Sequence, residues 1–211
     1  MNIYMIVEGE QTEMKVYPAW IQILAPQLHQ ISDAYDIKSD SDAYYLFSAG
    51  GIPSIYTHIS NAVADINEIN AKGNAKYDYL IVCIDVEEES RSYIEHKIKE
   101  QLLKDGRDLS GVKLQIFEHK ICMESWFLGN RKIFKENPQN PELSRYIRFY
   151  DVKSDDPELM ENIDSEEFST KAQFHFKYLK YMFQERNMRY SKNNAWRCLF
   201  TRAFGKIDRK V

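Results

Sequence analysis

Cysteine is scarce in this 211-residue chain: Cys83, Cys122 and Cys198 are far apart and odd in number. Such usage argues against a disulfide framework and against a zinc cage, and it fits the reduced thiols of a cytoplasmic protein. Long apolar runs are missing too. None approaches the ~20 residues that a membrane helix needs, and no basic segment leads into a long apolar stretch as in a signal peptide. A membrane role is therefore not expected. Gly50-Gly51 lacks the Lys-Ser/Thr ending of a P-loop, so ATP binding is not supported. His29, His58, His96 and His175 have no mutual spacing that suggests a zinc site. Internal repeats and low-complexity tracts are also lacking.

The net charge is −4, which by itself speaks against a polyanion binder, but the charge is unevenly spread. From Ser169 to Val211 there are eleven Lys/Arg against Glu185 and Asp208, a local +9, while the preceding residues carry 17 basic and 30 acidic side chains, −13. Such asymmetry is a signature of nucleic-acid binding. A tail that simply docks on an acidic body has the same composition. Within it Tyr178, Tyr181, Phe183, Tyr190, Trp196 and Phe200 interleave with Lys177, Lys180, Arg186, Arg189 and Arg197. Aromatics beside cations can stack bases and hold phosphates, and at helical spacing they also serve as core.

Ile3 to Val7 is an unbroken apolar run that stops at Glu8-Gly9-Glu10. It reads as a strand buried on both faces, followed by a tight turn at glycine. Apolar spacing from Thr12 to about Ile31 predicts a helix with Thr12 as N-cap and Pro18 kinking or restarting it. Ala43–Ser48 is a second strand. A helix is expected from Pro53 to about Ala71, a strand over Tyr79–Asp85, a helix from Glu88 to about Lys104, and a partly exposed strand over Val112–Phe117. This β-α-β-α-β-α-β order predicts an α/β fold with a mainly parallel sheet flanked by helices. Residues 131–168 read as an irregular connector. Two aromatic, basic helices, Phe168 to about Arg189 and Asn193 to about Lys206, would form a helical extension over 169–211, packed on a core of residues 1–130.

Two strands thus end in acids, Glu8 on the first and Asp85-Val-Glu87 on the later one. Asp85 and Glu87 are two apart and share a face of an extended backbone. If the strands are neighbours, Glu8, Asp85 and Glu87 converge at the C-terminal edge of the sheet, where α/β proteins place ligands. Clustered carboxylates need a neutralising partner, and oxygen-rich sites suit Mg²⁺ or Mn²⁺. Taken singly, each acid reads equally well as a solvated strand end. Glu13, Glu88 and Glu89 are expected in first helical turns, where acids complement the macrodipole. Glu124 lies between His119-Lys120 and Trp126-Phe127 and needs a partner, either the same metal or a backbone or lysine group. Trp126 and Phe127 are expected in the core. His119 and Lys120 could contact a phosphate or mark a surface strand end. Lys192 is the tail lysine best suited to stabilise charge on a scissile phosphate.

Ile6-Val7-Glu8-Gly9 with Thr12-Glu13, and Ile84-Asp85-Val86-Glu87, resemble the two acidic motifs of the Toprim (topoisomerase–primase) domain. Ile121-Cys-Met-Glu124-Ser-Trp126-Phe-Leu128 is similar to the Glu-x-Trp segment of small stand-alone Toprim proteins of the RloB-like type, relatives of the OLD-family nucleases. The resemblance spans about residues 2 to 130. It implies a Toprim-like fold, Mg²⁺ or Mn²⁺, and cleavage of nucleic-acid phosphodiester bonds, often in anti-phage defence. Asp85, Glu87 and Glu8 would be metal ligands, with Glu124 a further candidate; Glu8, Asp85, Glu87 and Lys192 would be catalytic. Lys120, Lys177, Lys180, Arg186, Arg189 and Arg197 would hold the nucleic acid. An ATPase or other defence protein is an implied partner, and homo-oligomers stay open. The alternative is a non-catalytic Toprim-like module binding nucleic acid or a partner. A phosphotransfer enzyme with a phosphorylated Asp85 is a third reading.

Overall fold

The computed structural model of the chain describes residues 1–39, 41–86 and 89–191. Its first compact unit, Met1–Glu118, is an α/β layer structure. Strand β1 (Asn2–Val7) leads to helix α1 (Glu13–Leu24), β2 (His29–Ile31), β3 (Ala43–Ser48), α2 (Ser54–Ala71), β4 (Tyr79–Asp85), α3 (Arg91–Lys104) and β5 (Lys113–His119). The five strands form one parallel sheet in the order β2-β3-β1-β4-β5. β1 lies at its centre, pairing Val7 with Ser48 on one side and with Cys83 on the other. All six β1 residues are buried, Asn2 along with the apolar run Ile3–Val7 that marks a central strand.

Chain direction explains which face each helix covers. The β1–α1–β2 crossover runs one way along the sheet, whereas β3–α2–β4 and β4–α3–β5 run the other way. Right-handed crossovers therefore put α1 on one face and α2 and α3 together on the other. On that second face Ile55, Ile59, Val63 and Ile66 of α2 and Ile94, Ile98 and Leu102 of α3 pack with Tyr4, Ile6, Leu80, Val82 and Ile84. Tyr17 of α1 reaches the opposite face, where its hydroxyl hydrogen-bonds the Cys83 thiol.

Several boundaries differ from the sequence expectation. α1 runs through Pro18 without interruption but stops at Leu24, not near Ile31. Pro26 constrains the residue before it, and Ala25 has left the helical region (φ −139°, ψ 63°). The released segment forms β2, three residues with little burial and hence no apolar pattern to announce them. Thr12 stands at the N-cap of α1 without a side-chain cap bond. α3 starts at Arg91, because Ser90 caps it by accepting from the Tyr93 N–H, so its first turn holds no acid. β5 continues two residues past Phe117 and ends on His119.

The second unit takes over from His119, so the division falls within β5. It contains α4 (Met123–Leu128), α5 (Pro141–Phe149) and α6 (Lys171–Gln184). The expected irregular connector is thus partly helical: Asn140 caps α5 by accepting from Glu142 and Leu143, and Pro141 is pre-set for the first turn. α4 and α5 pack on α6. The rings of Tyr146, Phe168, Phe174 and Tyr178 meet in edge-on and tilted contacts. Tyr178, Phe183 and Tyr190 are core residues here, while Trp196 and Phe200 lie outside the described residues. Among the described residues no helix is long and apolar enough to cross a membrane.

Candidate metal centre at the end of the sheet

α1 and α3 leave the sheet in opposite directions from adjacent strands, β1 and β4. Such a switch point opens a crevice beyond the carboxyl ends of the two strands, the usual ligand position in open parallel sheets. Glu8 and Asp85 stand there. Oε2 of the Glu8 carboxylate accepts the Asp85 main-chain N–H at 3.0 Å. The strand end holding Asp85 is thereby tied to the strand end of β1, and the Glu8 N–H donates back to the Cys83 carbonyl at 3.2 Å.

The acid that joins Asp85 is Glu13. One carboxylate oxygen from each of these two and a ring nitrogen of His119, at the end of β5, all lie within 4.8 Å of one another. Glu13 and His119 are buried and Asp85 is half-buried. Gly9 makes room for this: a β-carbon there would lie 1.6 Å from Glu13 Oε2. The carboxylate of the first turn of α1 thus folds back over the glycine of the preceding turn. A second close approach follows at Gly50, whose φ of +69° suits glycine and whose absent side chain leaves space for Glu10 Oε1.

Two carboxylate oxygens and an imidazole nitrogen at this separation suit a divalent cation, since all three are common ligands and an ion can draw them in to bonding distance. A buried and a half-buried acid beside each other also call for compensation by a hydrogen bond, a proton or positive charge. Three neighbouring groups, Cys83, Tyr17 and Tyr56, are poor candidates for a nucleophile. Burial pushes the Cys83 thiol up to about 12, and burial likewise raises the Tyr17 hydroxyl. Tyr56 is pushed up to about 12, first by burial and then by the charges of Glu89 and Glu8. All three stay protonated near neutral pH.

His119 is fixed by an edge-to-face contact with Trp126, ring centroids 4.8 Å apart. Trp126, expected in the core, is instead 40% exposed. Its indole N–H donates to Glu158 Oε1 at 2.8 Å, and the Lys120 N–H donates to the same oxygen. Phe127 is in the core.

The other expected site residues divide as follows. Glu87, Lys192 and Arg197 lie outside the described residues. Glu124 is buried on α4, and its carboxylate accepts from the Tyr190 hydroxyl at 2.7 Å. Lys120 and Arg189 are exposed; Lys177 and Lys180 are half-buried, with Lys177 over the Tyr181 ring at 5.1 Å. Arg186 donates to the carbonyls of Ile133 and Phe134. The sequence does not mark Glu13 as a candidate ligand, because a first-turn acid is sufficiently explained by the helix dipole. Its one local signal is the glycine four residues earlier. His119 is not marked either, because the alternating pattern ends at Phe117 while β5 runs on to His119. No family model, curated protein or solved structure matches the chain.

Proposed function

We propose that this chain is a divalent-metal-dependent hydrolase of nucleic-acid phosphodiester bonds, built on a Toprim-like core. One observation carries the reading: Glu13, Asp85 and His119 meet at the switch point of a parallel sheet. The acidic motifs around Glu8 and Asp85 and the basic stretch Ser169–Val211 support it. Of the two expected ions, Mn²⁺ suits the donor set better, because it accepts imidazole together with carboxylates, whereas Mg²⁺ prefers oxygen alone.

Glu13, Asp85 and His119 would hold the ion. Bound there, it would lower the pKa of a water and neutralise charge on the phosphate. Glu8 acts one step back, fixing the main chain of Asp85 through its N–H and so aiming that carboxylate. Gly9 keeps the approach to Glu13 clear, and Trp126 holds the His119 ring plane. Defence against phage, with an ATPase or similar protein sensing the target, is the setting we propose from the Toprim resemblance.

The test is a panel of plasmid DNA, single-stranded DNA, RNA and tRNA incubated with Mn²⁺ or Mg²⁺. Wild type runs beside Glu13→Ala, Asp85→Ala and His119→Gln. Cleavage by wild type, lost in all three variants, is the expected result. Cleavage that survives in Glu13→Ala and His119→Gln would remove this site from the chemistry. A wild type that neither cleaves nor gains metal-dependent thermal stability would leave a non-catalytic module as the better reading.

A further inference from the structure

In the second unit the chain between α4 and α5 folds against the end of α6 and leaves an open cleft of about 460 Å³, whose lining includes none of the groups assigned above to metal binding. Its lining is markedly cationic for a protein of net charge −4. Arg131, Lys135, Lys153 and Arg186 contribute to its wall, against the single acid Glu136, with Phe134 on the apolar side. These residues come from three separate stretches of sequence, so the concentration is made by folding and is not a basic run.

The four cations are held differently. Lys135 is clamped to Glu185, its Nζ 2.7 Å from Oε2, and that carboxylate also accepts the Asn140 N–H. Lys135 holds Glu185 below the usual carboxylate range. Arg186 is pinned through its Nε and one Nη to the carbonyls of Ile133 and Phe134. These two side chains are anchored by their partners, Lys135 half-buried and Arg186 exposed. Arg131 and Lys153 are exposed as well, Lys153 paired with Glu136. An exposed pair of this kind contributes little and exchanges readily for a better anion. Two anchored cations beside two freer ones suit a phosphate chain: the anchored pair orients, and the freer pair adjusts to the charge.

We infer that this cleft binds the phosphodiester backbone of a single nucleic-acid strand, with Arg131 and Lys153 as its principal phosphate contacts. Volume favours a single strand, since the cleft is at the small-ligand end of pocket sizes, ~300–1,000 Å³. Contacts of this type carry no base preference, so DNA and RNA strands should bind alike. The inference does not require the chain to cleave anything.

The test is fluorescence anisotropy of labelled 12-nucleotide DNA and RNA single strands and of a 12-base-pair duplex, all in EDTA so that no metal-dependent cleavage occurs. Arg131→Glu/Lys153→Glu is compared with Lys99→Glu/Lys104→Glu, exposed residues of α3 that change the net charge equally. The Arg131→Glu/Lys153→Glu variant should bind both single strands at least about tenfold more weakly, with log K falling less steeply against log salt by about 1.4, two contacts at ~0.7 each. The charge-matched variant should stay within threefold of wild type. Equal losses in the two variants, or no loss in either, would overturn the proposal. So would a duplex that binds more tightly than the single strands and loses as much in the Arg131→Glu/Lys153→Glu variant. If binding fails here while the metal-dependent cleavage assay succeeds, the cleft is wrong and the metal centre stands.

Discussion

Gly9 and Glu13 share one small volume: the carboxylate of Glu13 lies where a side chain on residue 9 would begin, 1.6 Å from the position of its β-carbon. The glycine is not there for a left-handed backbone, since its φ is not among the positive ones. It is there for clearance. Gly9→Ala should therefore fold, yet displace the Glu13 carboxylate. A cation present at 100 times its dissociation constant stabilises a folded chain by about 2.7 kcal/mol. We expect Gly9→Ala to lose most of the Mn²⁺-dependent rise in Tm while its metal-free Tm changes by only a few degrees. Full retention of the rise would show that Glu13 takes no part in binding.

Glu8 is expected to act through the Asp85 main chain, which separates two substitutions at one position. Glu8→Ala removes the acceptor of the Asp85 N–H and should weaken Mn²⁺ binding by about 10- to 100-fold. Glu8→Gln keeps an acceptor oxygen and should stay within a few-fold of wild type by isothermal titration calorimetry. A direct ligand would suffer comparably from both changes.

His175 offers a pH signature in the second unit. Its ring is fully buried, with Nδ1 at 2.8 Å from Ser125 Oγ and Nε2 at 3.1 Å from the Met160 carbonyl. Burial lowers its pKa to about 4. The unfolded chain, near 6.5, binds the proton more readily, so stability rises with pH across this interval and is lost as pH falls from about 6.5 to 4. The full effect is on the order of 3 kcal/mol. Urea unfolding midpoints should fall over that range, and the fall should flatten in His175→Gln. Parallel curves for the two proteins would refute the assignment.

Tyr190 and Glu124 form a buried pair at 2.7 Å. Tyr190→Phe leaves the carboxylate without that donor and should cost about 1–3 kcal/mol. Chemical denaturation measures it, and Tyr190→Phe/Glu124→Leu should recover part of the loss. Metal-dependent stabilisation should be unaffected by Tyr190→Phe if Glu124 serves only this bond.

Much of the α/β core could be read from residue order, because β1, β3 and β4 are apolar runs of strand length bounded by glycines and acids. β2 could not, since two exposed residues and the half-buried Ile31 make no pattern, and their pairing depends on where Pro26 ends a helix. Of the candidate metal centre, Asp85 is legible because an acid closing a buried strand is anomalous. Glu13 is not, because the dipole explains it locally and its true reason is a steric gap in another turn. His119 follows Glu118 in a polar pair, and nothing local distinguishes a strand end from a loop there. In the second unit the Asn140 cap was readable in principle, but the polar composition of 131–168 masked a nine-residue helix.

The central position of β1 has a consequence for how the molecule is made. Strand β1 must wait for partners that come much later in the chain, pairing Ile3 with Tyr79 of β4. Closing so long a loop delays sheet formation, because contacts distant in sequence are slow to form. A nascent chain that has reached only Glu13 holds one carboxylate of the three-sided cage, and the imidazole emerges last. Cation capture by this constellation would thus follow folding, never nucleate it, and would act as a latch closed after the sheet is complete.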